Sequence, residues 1–211
     1  MAKWFILPGM GATSSMYDLL RSEVNFEVNF IDWPEYHGET SYAEVAGRVI
    51  EEHQISYGDI VGGSSLGGMV ALEVAKIIRP EAVVLLGSAV NRHEIQGILS
   101  VLSPIAVVTP VSFIQTLVGK RNNLIAQMFS ESDPEFIRAM CLHLPSWLGY
   151  SGPLESIFRL HGRRDHVIPC PDAGSEVIES AGHLLAITHP KESGAFLENA
   201  RLQLTNHLSG R

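Results

Sequence analysis

The sequence predicts an α/β protein. It reads as one domain over residues 1–211, with a mostly parallel sheet of about six strands flanked by helices and a small helical lid inserted at residues 90–150. Three observations carry this. Short apolar runs of strand composition alternate along the chain with segments of helical periodicity, the pattern of βαβ units. The 211 residues are 45% hydrophobic and 18% charged, which is enough to bury a substantial core and too apolar for a disordered chain. Between residues 90 and 150 the alternation stops, and an apolar stretch containing prolines and its own helical patterns replaces it.

Lys3–Leu7 (KWFIL) is the first predicted strand, ended by Pro8-Gly9. Phe26–Ile31 (FEVNFI) is the second, ended by Asp32-Trp33-Pro34. Ser41 then opens a helix. Glu44 stands three residues on, as in a capping box, and Tyr42, Val45, Ala46, Val49 and Ile50 form an apolar face. Asp59–Gly63 (DIVGG) is the third strand. The helix after it, Leu66–Arg79, turns Met69, Val70, Val74, Ile77 and Ile78 inward and stops at Pro80, which cannot continue a helix. Ala82–Leu86 (AVVLL), Ile157–His161 (IFRLH) and Ser175–Glu179 (SEVIE) are strands four to six. Lys191–Leu208 is a closing helix with Phe196, Ala200 and Leu204 on one face. Within the insertion, helical patterns appear around Phe113–Val118, Leu124–Phe129 and Pro134–Leu142.

Fifteen Lys and Arg against 23 Asp and Glu give a net charge of −8, and no basic run interrupts the excess. Nucleic acid is not an expected partner, because nothing offers phosphates an electrostatic footprint. The N-terminal apolar run stops at Pro8, too short for the core of a secretory signal. Ile98–Val118 carries no charge and has the length of a membrane span. Pro104, Pro110, Gln115 and five Ser or Thr interrupt it, so it reads as lid or core and no span is expected. Cys141 and Cys170 are too few for a disulfide framework, which points to a reduced, cytoplasmic compartment. His37, His53, His93, His143, His166 and His207 lack metal-ligand spacing.

Two turns carry chemical readings. Gly9-Met10-Gly11-Ala12-Thr13-Ser14 follows the first strand directly, and Asp32 ends the next. That approaches a dinucleotide fingerprint, where glycines admit a pyrophosphate and an acid holds the ribose. Serine occupies the third glycine position, however, and Asp32 reads better as a turn former. The second turn, Gly63-Ser64-Ser65-Leu66-Gly67, matches G-x-S-x-G between a strand and a strongly apolar helix. Such a turn lifts the serine hydroxyl clear of the sheet. The helix behind it aims N–H groups and a positive dipole end at a developing oxyanion. Ser64 lacks the paired glycines, which makes Ser65 the candidate nucleophile. A serine alcohol needs a base, and the base an orienting acid. Asp165 lies in the turn after strand five and His183 in the turn after strand six, at the carboxyl ends where parallel sheets place their sites. No acid follows strand four within Gly87–Asn91.

On Leu7–Gly11 (LPGMG), Gly63–Gly68 (GSSLGG), His161–Pro169 (HGRRDHVIP) and Ser180–His183 (SAGH), spread over nearly the whole chain, the sequence resembles the α/β-hydrolase superfamily. The resemblance implies Ser65 as nucleophile, His183 as base and Asp165 as its partner. It implies the backbone N–H groups of Met10 and Leu66 as oxyanion hole, and no metal or organic cofactor. The expected reaction is hydrolysis of a small-molecule carboxylic ester or thioester through an acyl-serine. Other serine chemistry on the same residues (acyl transfer, carbon–carbon bond hydrolysis) and a non-catalytic ligand-binding role are the alternatives, with a dinucleotide-dependent oxidoreductase more remote. The chain departs from the family pattern at Pro8, which replaces a usual histidine. It also lacks two strands that commonly come first, and it lacks a helix between the acid turn and the last strand. The lid is expected to fold over the serine, with Phe113 and Ile114 contacting substrate, and to favour uncharged acyl groups of about four to eight carbons.

Overall fold

The structure, a computed structural model, describes residues 2–95 and 133–209. Among them, β1 (Trp4–Leu7), β2 (Asn29–Phe30), β3 (Ile60–Ser64), β4 (Ala82–Leu86), β5 (Ile157–Gly162) and β6 (Glu176–Ile178) form one sheet in the order β2-β1-β3-β4-β5-β6. Every neighbouring pair is parallel. All residues of β1, β3 and β4 are buried, because helices cover both faces of a sheet built by crossover connections. Side chains alternate between the faces. Phe5, Val61, Val83 and Leu85 meet α2 (Tyr42–His53) and α3 (Leu66–Ile78), while Ile6, Ile60, Val84 and Leu86 meet the other helical layer. That second layer comprises α1 (Asp18–Arg21), α5 (Leu185–Thr188) and α6 (Pro190–Ser209), and it buries Leu20, Leu185, Phe196 and Leu197.

Local signals explain most boundaries. Ser41 caps α2 by accepting from the Glu44 N–H at 3.2 Å. The Glu44 carboxylate turns back one residue further than a capping box requires, to the N–H and hydroxyl of Thr40. α3 ends where Pro80 prevents another turn, but Ile77 does not face inward as expected; it is 53% exposed. The helix is buried on all sides through Ala75, and its last turn then emerges beyond the sheet, carrying Lys76 and Ile77 into solvent. β2 is shorter than predicted. Phe26 leaves the ladder to pack edge-on against Trp4, with ring centroids 4.8 Å apart.

After β4 comes a 3₁₀ turn at Arg92–Ile95; the described chain resumes at Asp133, which caps α4 (Pro134–His143), and a 3₁₀ turn at Leu144–Ser146 follows. The Tyr150 N–H donates to the Val90 carbonyl at 2.8 Å, and Asn91 bridges Gly149. Gly149 has a φ of +87°, and a side chain there would press on Asn91 Cα, so the close approach needs glycine. Ile98–Val118, with Phe113 and Ile114, lies outside the described residues. Among the described residues no helix is long and apolar enough to cross a membrane, and no group of His, Cys, Asp or Glu is arranged to hold a metal.

Candidate active site

Only Ser65 separates the end of β3 from the start of α3, so one residue makes the whole turn. It does so at φ 52° and ψ −118°, a conformation that costs a non-glycine residue free energy and persists only where the surroundings fix it. They do fix it. The Ser65 N–H donates to the Leu86 carbonyl of β4 at 3.2 Å. Its own carbonyl accepts from Gly68 N, Met69 N and, at 2.7 Å, the Ser88 hydroxyl. A side chain on Gly63 would collide with the Gly67 backbone, and one on Gly67 with the Pro8 carbonyl. The paired glycines therefore let β3, α3 and the end of β1 converge on the serine.

His183 and Asp165 arrive from the neighbouring strand ends. The Arg164 N–H donates to Ala181 O at 2.9 Å, which holds the turn after β5 against the turn after β6. His183 Nδ1 lies 2.8 Å from Asp165 Oδ2, and its Nε2 lies 2.9 Å from Ser65 Oγ. A carboxylate only accepts, so Nδ1 carries the proton in the neutral ring and Nε2 offers its lone pair to the serine hydroxyl. Asp165 Oδ1 accepts from the N–H groups of Val167 (2.8 Å) and Ile168 (2.9 Å). Burial alone would raise the Asp165 carboxyl. The adjacent His161 ring, the hydrogen bond from His183, the attraction of a charged His183 and the Val167 N–H outweigh burial and hold it well below the usual carboxylate range. His161, fully buried, donates from Nε2 to the Ile168 carbonyl at 2.8 Å and stands 3.4 Å from Asp165 Oδ2.

The loop after β1 closes the site on its other side. A methyl group on Gly9 would stand 3.8 Å from Ser65 Cβ. The Gly9 carbonyl accepts from Trp33 Nε1 at 3.1 Å and from Ala12 N at 3.2 Å. Asp32 acts as a clamp on the same loop. Its carboxylate takes the Ser14 N–H at 2.6 Å and the Ser14 hydroxyl at 3.1 Å, so both oxygens are engaged within the protein. Leu66 is the first residue of α3, and its N–H has no acceptor within the helix. Above the loop, α4 lays Cys141 Sγ 3.6 Å from Met10 Sδ and Phe136 against Trp33. Burial pushes the Cys141 thiol up to about 11, which keeps it protonated and poorly nucleophilic.

Ser65, Asp165 and His183 thus form one hydrogen-bonded row, with Gly9 of the loop after β1 beside the serine and Leu66 directly after it in the chain. Sequence reasoning missed three supporting groups. Tyr17 is buried below the site, with its hydroxyl 2.6 Å from the Leu7 carbonyl and 2.8 Å from Ser64 Oγ. The carbonyl can only accept, so the phenol proton goes there and Ser64 donates to the phenol. Ser88 braces the serine carbonyl, and Trp33 braces Gly9. Each makes its contact across strands, and no local motif marks such a residue.

The family model described as "Alpha/beta hydrolase family" matches residues 5–193. No curated protein sequence matches the chain. Among solved structures, the chain is similar to a thermophilic esterase from Thermogutta terrifontis at 16% identity and a TM-score of 0.70, covering 97% of this chain and 90% of that one. It is similar to the N-acyl homoserine lactonase AidH at 17% identity and a TM-score of 0.68, again covering 97% and 90%. An extracellular alpha/beta-hydrolase from a Paenibacillus species matches at 14% identity and a TM-score of 0.63, covering 95% of this chain and 99% of that one.

Proposed function

We propose, from the premise that the chain belongs to the α/β-hydrolase family, that it is a serine hydrolase cleaving small-molecule carboxylic esters or thioesters through an acyl-serine intermediate. The observation that carries the reading is the unbroken row from Ser65 Oγ through the His183 ring to Asp165 Oδ2, with contacts of 2.9 and 2.8 Å. In the first step Ser65 Oγ bonds to the substrate carbonyl carbon while its proton passes to His183 Nε2. The carbonyl π electrons move to oxygen, and the oxyanion accepts from the N–H groups of Met10 and Leu66. The imidazolium then protonates the leaving alcohol or thiol as its bond to the acyl carbon breaks. His183 next takes a proton from water, whose oxygen attacks the acyl-serine. Collapse of the second tetrahedral intermediate releases the acid and returns the proton to Ser65. Asp165 stays ionised throughout and stabilises the imidazolium. The esterase and the lactonase among the similar structures support an acyl–oxygen bond as the target.

The same reading assigns residues 90–150 to a lid, with the apolar Ile98–Val118 as the acyl-side wall. A p-nitrophenyl ester series from two to twelve carbons tests it. Each methylene buried is worth roughly 0.8 kcal/mol, so two more should raise kcat/KM about tenfold until the pocket is full. The expected optimum is at about four to eight carbons, flattened by Phe113→Ser. A steady decline from acetate, unchanged in a folded Phe113→Ser variant, removes the lid from substrate selection.

A pH profile tests the base. Because Asp165 is held well below the usual carboxylate range, it contributes no ionisation to the profile above about pH 4. The acid limb should therefore show a single proton uptake, that of the base. Protonation of His183 fills the Nε2 lone pair and stops the reaction. A kcat/KM with no acid limb above about pH 4 excludes histidine as the base.

A further inference from the structure

We infer that Trp33 is a positioning residue for the oxyanion hole, acting through the peptide that joins Gly9 to Met10. The inference rests on the reading that the Met10 N–H binds the oxyanion. The described residues contain no cis peptide bond, so the carbonyl and N–H of this planar unit point in opposite directions. Whatever fixes the Gly9 carbonyl therefore fixes the Met10 N–H. Two donors hold that carbonyl: the Ala12 N–H from within the loop at 3.2 Å, and the Trp33 indole N–H from outside it at 3.1 Å. The Ala12 bond turns with the loop if the loop turns. The Trp33 bond refers the peptide to β2, because only Ile31 and Asp32 separate Trp33 from that strand and the Ile31 N–H donates to Ile6 O of β1 at 3.1 Å.

Neighbouring contacts keep the indole in place. Its ring packs on Phe136 of α4 with centroids 5.2 Å apart, and Tyr36 packs on the same Phe136. Asp32, one residue earlier, clamps Ser14 at the far end of the same loop. Two consecutive side chains after β2 thus hold the loop at both ends. Trp33 holds the end that carries the donor, opposite the direction in which that donor points.

Removing an oxyanion donor outright costs about 10²–10³ in kcat, and a donor that remains but is free to tilt should cost about 10–100-fold. The test is Trp33→Phe in the full chain, with folding checked by circular dichroism and thermal melting. Beside it stands the protein carrying benzothienylalanine at position 33, whose ring has the shape of indole with sulfur in place of N–H. The expected result for both is a 10–100-fold lower kcat on a p-nitrophenyl ester, with KM within about twofold and the acid limb of the pH profile unmoved. The inhibition constant of an aryl trifluoromethyl ketone, which adds to the serine and places an oxyanion in the hole, should rise by the same factor as kcat falls. A purely structural role predicts loss in the phenylalanine variant alone, with activity retained by the benzothienyl protein. That result, a kcat within threefold of wild type in both, or a fall in kcat with unchanged ketone affinity overturns the inference. Ser65→Ala separates this failure from that of the underlying reading. An inactive Ser65→Ala protein beside normal Trp33 variants removes only the role of Trp33, whereas an active Ser65→Ala protein removes the acyl-serine itself.

Discussion

Replacing Ser65 by alanine should abolish ester hydrolysis and covalent labelling by a fluorophosphonate, with a loss in kcat on the order of 10⁶, the scale set by triad serines elsewhere. The substitution deletes the hydroxyl that faces His183 Nε2 at 2.9 Å and leaves the backbone bonds of the turn in place, so the melting temperature should hold. Ser64→Ala is the paired control. The Ser64 hydroxyl points below the site to Tyr17 and has no part in the row to Asp165. Its loss leaves a buried phenol one donor short, a cost of about 1–3 kcal/mol in stability, while most of the activity should survive. Peptide mapping of the labelled protein decides between the two. A label on Ser64, or a dead Ser64→Ala beside an active Ser65→Ala, reverses the assignment.

Asp165→Asn should lower kcat by up to about 10⁴ with little change in KM. The amide oxygen can replace Oδ1 and still accept from Val167 and Ile168, which turns the NH₂ group towards His183. Nδ1 must then accept, the ring proton moves to Nε2, and the lone pair that should receive the serine proton is gone. A loss below tenfold points to another acid. The same substitution has a signature in stability. The carboxyl is held low in the folded protein, so its contribution is present above its unfolded value of about 3.9 and is lost as pH falls below that. Melting temperatures measured from pH 7 down to pH 3 should therefore fall less steeply in Asp165→Asn than in wild type.

What the sequence disclosed depended on how local each signal was. The strands β1, β3 and β4 are short apolar runs bounded by Pro or Gly, and their ends lie within a residue of the predicted ones. The Gly63–Gly67 turn was legible because its sterics are local: Ser65 takes a positive φ only where its neighbours are small. Asp165 and His183 were legible as polar residues in turns at strand ends, although the 2.8 Å contact between them is a product of the fold. Ile77 was misplaced because helical periodicity does not say where a helix outruns the sheet it packs on. Tyr17, Trp33 and Ser88 stayed hidden for a related reason. Their partners are Leu7 with Ser64, Gly9 and Ser65, reached through the order of the strands and not through spacing along the chain.

The bond between Tyr150 and Val90, with the bridge from Asn91 to Gly149, bears on how such a protein can diversify. Those contacts close the chain on itself between Asn91 and Gly149, and α4 within that stretch packs on the body through Phe136 and Cys141. The entropy of closing a loop already shut at its base grows slowly with length, by about 0.6 kcal/mol per doubling. Residues can therefore be gained or lost there without moving the register of β4 against β5, in which Leu86 faces Leu160. The turns bearing Ser65, Asp165 and His183 would keep their spacing through such changes. Changes of length and composition could then accumulate between Ile95 and Asp133, while selection on the strand ends continued undisturbed.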